Sequence, residues 1–147
     1  MKNRSLVSFV IAVLLTSIIG IVRADDQTPE KAAQQAAEAW MPLFDLGKYA
    51  ESWEELAQHT KAHIDKRTWE VYLIAVRKPL GELKSRKLKR AEFIKSLAGV
   101  PDHSGAILEY ESSFKNKKSV IETFGMMLEK DATWRVANYI PKDAPSK

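Results

Sequence analysis

A chain of 147 residues without an internal repeat encloses a single core, which excludes a multidomain enzyme. Its formal charge of +4 comes largely from the first 24 residues, where Lys2, Arg4 and Arg23 meet no acid; the rest carries 20 basic and 19 acidic residues, so net charge argues for neither nucleic acid nor an anionic membrane and leaves only local patches. The absence of cysteine excludes disulfides, thiolate metal sites and lipid-modified cysteine.

Met1 to Ala24 places Lys2 and Arg4 before an apolar run from Leu6 to Val22, then Val22-Arg23-Ala24 ahead of Asp25-Asp26. That order is the layout of a secretory signal peptide, so the mature chain is expected to begin at Asp25 and to be periplasmic or secreted. The alternative is an uncleaved inner-membrane anchor, for which the run is slightly shorter than the roughly 20 apolar residues a spanning helix needs. Residues 25–141 are expected to form one α+β domain, and 142–147 a disordered tail.

Thr28-Pro29-Glu30 is a helix start: a hydroxyl cap, a proline where no amide partner is needed, and a carboxylate in the first turn. The spacing predicts a helix from Pro29 to Leu46, apolar along Ala33, Ala37, Trp40 and Phe44, bent at Pro42 and ended by Gly47. A second helix is predicted from Tyr49 to His63 and a third, capped by Asp65, from Lys66 to Lys78, before Pro79 and Gly81 stop it. Beyond Gly81 the period becomes that of strands. Glu82 to Leu97 reads as a long, charged, exposed strand, and Ala106 to Phe114 alternates with Leu108, Tyr110, Ser112 and Phe114 on one face. Lys118 to Glu129 and Thr133 to Ile140 complete the sheet, with Val120, Phe124, Met126 and Leu128 sharing one parity and Trp134, Val136 and Ile140 another common face. The prediction is an α+β domain: three N-terminal helices packed on a curled four-stranded antiparallel sheet, with Trp134 anchoring the last strand.

Particular residues carry a resemblance over nearly all of the mature chain. Ala37-Glu38-Ala39-Trp40, Asp45-x-Gly47-x-Tyr49, Ser52-Trp53, Val76-Arg77-Lys78-Pro79-Leu80-Gly81, Ser85-Arg86, Val120-Ile121-Glu122-Thr123 and Trp134-Arg135-Val136-Ala137-x-Tyr139 resemble the bacterial family called domain of unknown function 4019. The resemblance implies a secreted or periplasmic protein with the cone-shaped roll of the cystatin-like and nuclear-transport-factor-2-like (NTF2-like) folds. It implies no activity. The chain departs from the pattern at Pro42 and at Asn138, where glycine is expected.

Several constellations bear on chemistry. Glu55, His59 and His63, spaced by four, would share one helix face, but one pointing away from the apolar stripe; a solvated face is expected and no metal. Glu122 shares parity with apolar neighbours, where a carboxylate would have a raised pKa suited to acid or base work; it is the one catalytic candidate, against pairing with Arg86 or Arg135. Lys84, Arg86, Lys87, Lys89 and Arg90 have no interleaved aromatics, which argues against nucleic acid and for protection of an exposed strand. Tyr49, Trp53, Trp69, Tyr72 and Tyr110 are candidates for a ligand pocket, with core packing as the alternative.

The function these features indicate is an exported, non-catalytic module binding a small apolar ligand or an envelope protein, with no cofactor and with homodimerisation through the sheet as the self-association to test. The competing reading is a small lyase or isomerase that holds an apolar substrate in the cone with Glu122 as base.

Overall fold

The computed structural model describes residues 27–145, so the expected signal segment lies outside the described residues. Among the described residues, no helix is long and apolar enough to cross a membrane. Four helices, α1 (Pro29–Asp45), α2 (Tyr49–Glu54), α3 (Gln58–His63) and α4 (Lys66–Val76), are followed by a 3-10 turn at Lys78–Leu80. Then come β1 (Leu83–Ile94), β2 (Gly105–Phe114), β3 (Val120–Leu128) and β4 (Trp134–Asp143), which form one sheet in the order β1-β2-β3-β4. Every neighbouring pair is antiparallel, as expected for an α+β domain.

The helix starts follow their sequence signals. The Thr28 hydroxyl accepts from the Lys31 amide, and the Asp65 carboxylate accepts from the Thr68 amide at 2.7 Å, which lowers the Asp65 pKa. α1 continues through Pro42, whose exposed ring stands where an amide would have reached the Glu38 carbonyl.

The expected second helix is two helices, so among the described residues four rather than three precede the sheet. The Leu56 amide turns back to the Trp53 carbonyl, and the Ala57 amide leaves the helix to donate to the Val136 carbonyl on β4 at 2.9 Å. β4 is an edge strand, and its outward carbonyls need donors. The Thr60 hydroxyl donates to Ala137 O at 2.9 Å and the Tyr72 hydroxyl to Tyr139 O at 2.6 Å, so α3 and α4 close this edge. At the opposite edge, register shifts bulge β1 between Leu83 and Ser85 and between Leu88 and Arg90. Exposed Lys84 and Lys89 stand at those bulges.

The core lies between α1 and the inner sheet face. Val120, Glu122, Phe124 and Met126 point inward from β3, and Ala106, Leu108, Tyr110, Ser112 and Phe114 from β2. The Phe44 ring lies 5.0 Å from Trp40, 4.9 Å from Tyr139 and 5.8 Å from Phe124, centre to centre. Ser52, fully buried, serves two indoles: Trp40 donates to its carbonyl and Trp69 to its hydroxyl, each at 3.0 Å.

On β4 the expected parity fails. A register shift beside Gly125 leaves Ala137 without a partner, so Val136 and then Tyr139 point inward and Ile140 outward, 40% exposed. Asn138 explains itself here, because its Oδ1 accepts the Gly125 amide at 2.9 Å and patches the bulge. A Cβ at position 125 would lie 2.5 Å from that oxygen, so a larger residue there would displace the Asn138 side chain. Trp134 is half-buried at the rim, edge-on to Phe93, rather than the deep anchor expected. β4 also runs further than expected: Lys142 and Asp143 pair with Ile121 and Val120, so neither belongs to a disordered tail.

Gly125→Ala is expected to cost about 1 kcal/mol in a urea melt, because Asn138 must surrender its bond to the strand. In an Asn138→Ala background the same change should cost nothing. Additive losses in the double variant would place the strain elsewhere.

Candidate functional site

Residues of three strands converge on a buried carboxylate of the fourth. Glu122, 0% exposed on β3, accepts from Arg86 Nε at 2.7 Å and Nη2 at 3.0 Å, from the Tyr139 hydroxyl at 2.8 Å, and from the Ser112 hydroxyl. Arg86, from β1, gives its other edge to Asp45 at the end of α1, through Nη1 at 2.7 Å and Nη2 at 3.0 Å. Asp45 also accepts from Arg77 Nη2 at 3.1 Å, while Arg77 Nη1 donates to the Gly81 carbonyl at 2.8 Å. The charges alternate along the chain Glu122, Arg86, Asp45, Arg77, so they cancel. Arg77 follows α4, and the carbonyl it uses is presented by Gly81 at φ +78°, where an added Cβ would meet Asn116 at 2.9 Å.

Aromatic rings wall the network. The Arg77 guanidinium lies 4.6 Å from the Phe114 ring centre and 5.5 Å from Phe44; Arg86 lies 5.4 Å from Phe44 and 6.0 Å from Phe124. Burial by itself would lower the Arg86 pKa, but hydrogen bonds and charge from Asp45 and Glu122 outweigh it and raise the pKa above its ordinary value. Burial, then the Glu122 charge, pushes the Tyr139 hydroxyl well above the usual tyrosine range, so it remains a donor. A carboxylate has about four lone-pair sites. Four donors fill those of Glu122, leaving no free lone pair for a substrate proton.

The other candidate residues do not share one cavity. Trp69 and Tyr72 line an apolar groove of about 230 Å³ between α4 and β4, with Ile64, Thr68, Tyr139 and Ile140. Tyr110 is buried 5.7 Å from the Phe124 ring, and burial followed by the Glu38 charge raises its pKa. Trp53 donates to the Ile64 carbonyl at 2.8 Å, and Lys61 and Lys66 sit 5.6 and 5.5 Å from its ring. Tyr49, half-buried, has its pKa raised by burial against the opposing charge of Arg77. Further along the α4 and β4 seam, Val76, Leu80, Val120, Pro141, Lys142 and Asp143 line a second groove, of about 250 Å³.

The His59 and His63 rings lie 4.4 Å apart and tilted by 39°, but Glu55 lies before the start of α3 and pairs with Arg135 at 3.1 Å. Glu55 therefore does not share a helix with His59 and His63. A polar groove of about 480 Å³ passes His59 and His103, and its two acids are engaged, Glu129 by the Gln58 amide and Asp131 by Thr133. In the basic cluster, Arg86 points inward while Lys84 pairs with Glu82, Lys89 with Glu111 and Arg90 with Glu92 and Glu109. Asp45, Arg77 and Tyr139 escape a reading of the sequence because helix ends and a strand bulge bring them in, whereas Ser112 stands on the inward face that the alternation of β2 already marks. The only local signal is Glu122 itself, a carboxylate at an inward strand position that must find donors.

Glu122→Gln retains volume and removes the charge that balances Arg86. The variant is expected to lose about 3 to 5 kcal/mol of stability in denaturant melts, and Arg86→Met in that background to restore part of it. A loss under about 1 kcal/mol would mean that the pair is solvated.

Comparison with known proteins bears on the same residues. No curated protein matches the chain. The family described as protein of unknown function (DUF4019) matches residues 36–139, well over half of the sequence and the span from α1 to Tyr139 that contains the whole network. The chain therefore belongs to the DUF4019 family.

Proposed function

We propose that this is an exported, non-catalytic binding module, a cone-shaped roll of the NTF2-like kind whose recognition surface is the seam between α4 and β4. The saturation of Glu122 carries this reading. The one inward carboxylate that would make the cone an active site has its lone pairs engaged and is fully buried. The space a substrate would need is taken by Trp40, Phe44, Phe124 and Tyr139. Export is supported by the order of charge, apolar run and small residues at Met1 to Ala24.

Binding then falls to the surface. Ile140, turned outward by the bulge, stands with Ile64 and Tyr72 over the apolar groove, and Val71 and Ile74 leave α4 57% and 49% exposed nearby. Apolar side chains held open by a rigid helix and strand suit the apolar part of a ligand.

A neutral fluorescent probe, N-phenyl-1-naphthylamine, is expected to bind with enhanced emission. Ile140→Glu, at an exposed position that tolerates the change, should weaken it about tenfold or more by placing a charge in the groove. An unresponsive probe, or equal binding by the variant, would remove the seam as the recognition surface.

A further inference from the structure

Resting on that reading, we propose that the far end of the seam docks on a phospholipid bilayer carrying anionic headgroups, one acyl chain entering the groove and lysines holding the phosphates. Two independent features meet there. The first is the apolar slot of about 250 Å³ formed by Val76, Leu80, Val120 and Pro141. The second is charge. Lys78, in the turn that supplies Leu80, Lys118, two residues before Val120, and Lys142, on the slot wall, are exposed, and among the described residues none of them is in a salt bridge.

The same end carries more positive charge. The backbone of Lys115 is tied to Glu82 and that of Asn116 to Leu80, which brings the β2 to β3 turn beside the slot. Lys115 is exposed and outside any salt bridge, while Lys117 is paired with Asp143 at 3.0 Å and Lys84 with Glu82 at 2.7 Å. The nearby acids are therefore engaged by lysines, and a cluster of unmatched ammonium groups remains. The residues after Arg23 are close to neutral, with 20 bases against 19 acids, so this asymmetry is a matter of placement.

An apolar slot by itself suits a neutral ligand, and lysines by themselves suit any polyanion. Together they match an anionic amphiphile, whose charged head and acyl chain are joined as the rim and the slot are. A bilayer presents many such heads at once, and several lysines spread around one end of the sheet need that multiplicity. Strand addition is not the mode here, because Pro141 has no amide to offer and the Tyr139 carbonyl is already taken by Tyr72.

The test is cosedimentation of the exported protein with vesicles of phosphatidylglycerol and phosphatidylcholine, and with phosphatidylcholine alone. Binding is expected only to the mixed vesicles and should weaken with added salt. At about fivefold per lysine, Lys118→Gln with Lys142→Gln should reduce it about 25-fold, while N-phenyl-1-naphthylamine still binds at Ile140. Equal binding to both vesicles, as an inserted leader would give, overturns the proposal. So does failure to bind either, or an unchanged affinity in the double variant. Displacement by soluble glycerol 1-phosphate would assign the lysines to a free phosphate ligand and overturn it as well. Loss of the neutral probe is a separate result that strikes the seam reading; loss of vesicle binding with the probe retained strikes only the bilayer.

Discussion

Placing Glu122, 0% exposed, in the interior between α1 and the sheet is the constraint on which the arrangement depends. An isolated buried carboxylate costs several kcal/mol, so it must be met by a cation, and Arg86 meets it with two hydrogen bonds. Arg86 is itself 9% exposed and has a second face to satisfy, which Asp45 does; Asp45 then draws in Arg77, and Arg77 the Gly81 carbonyl. Each solution creates the next requirement. The sequence of requirements runs from β3 through β1 to the ends of α1 and α4, and so fixes where the helices stop over the sheet. Such a network adds little net stability over an apolar core of equal volume, whereas losing one member leaves a buried charge unpaired. Its hydrogen bonds tie β1, β2, β3 and β4 to one another and to the end of α1.

This gives a physical meaning to the motifs that carry the family resemblance. Asp45, Arg77, Gly81, Arg86, Glu122 and Tyr139 all lie in the quoted segments, and all belong to the network. Asp45-x-Gly47-x-Tyr49 is a helix end that aims a carboxylate at Arg86, and Gly47 at φ +76° turns the chain away just after it. Trp40 and Ser52, in two other segments, meet in the hydrogen bond beneath α2. The quoted segments are therefore the joints of the architecture.

Much of this was legible in the sequence and some was not, for reasons that separate local from distant causes. Caps at Thr28 and Asp65 act within three residues, and both form as the sequence implies. The alternation of β2 reports its buried face directly, since nothing interrupts it. The break at Leu56 and Ala57 has no local cause: the Ala57 amide goes to a carbonyl of the edge strand in the last quarter of the chain. The inward turn of Tyr139 depends on a bulge whose sign is the contact between Asn138 and Gly125, on two strands. Among site residues, Glu122 shows itself by sitting where an apolar residue belongs, and Arg86 is one of two partners its charge suggests. Asp45 and Arg77 read as ordinary residues near the ends of two helices, because only the folded chain places their charges side by side.

The two sheet edges are guarded by different means, and the difference decides where recognition can occur. β1 relies on bulges and lysines, which repel another strand without occupying its hydrogen-bonding groups. β4 has Val136, Ala137 and Tyr139 carbonyls bound to Ala57, Thr60 and Tyr72, and then Pro141. Covering β4 brings α4 alongside it, and two rigid elements linked by hydrogen bonds at intervals leave grooves between the links. The bridge from Tyr72 to Tyr139 falls between the groove at Trp69 and Ile140 and the one at Leu80 and Pro141. Backbone pairing is thus spent internally, and what the seam presents outward is apolar side chain at one end and apolar side chain rimmed by lysine at the other. On the proposed function, a surface of that composition selects by solvent exclusion and charge, which is the chemistry of an amphiphile rather than of an added strand.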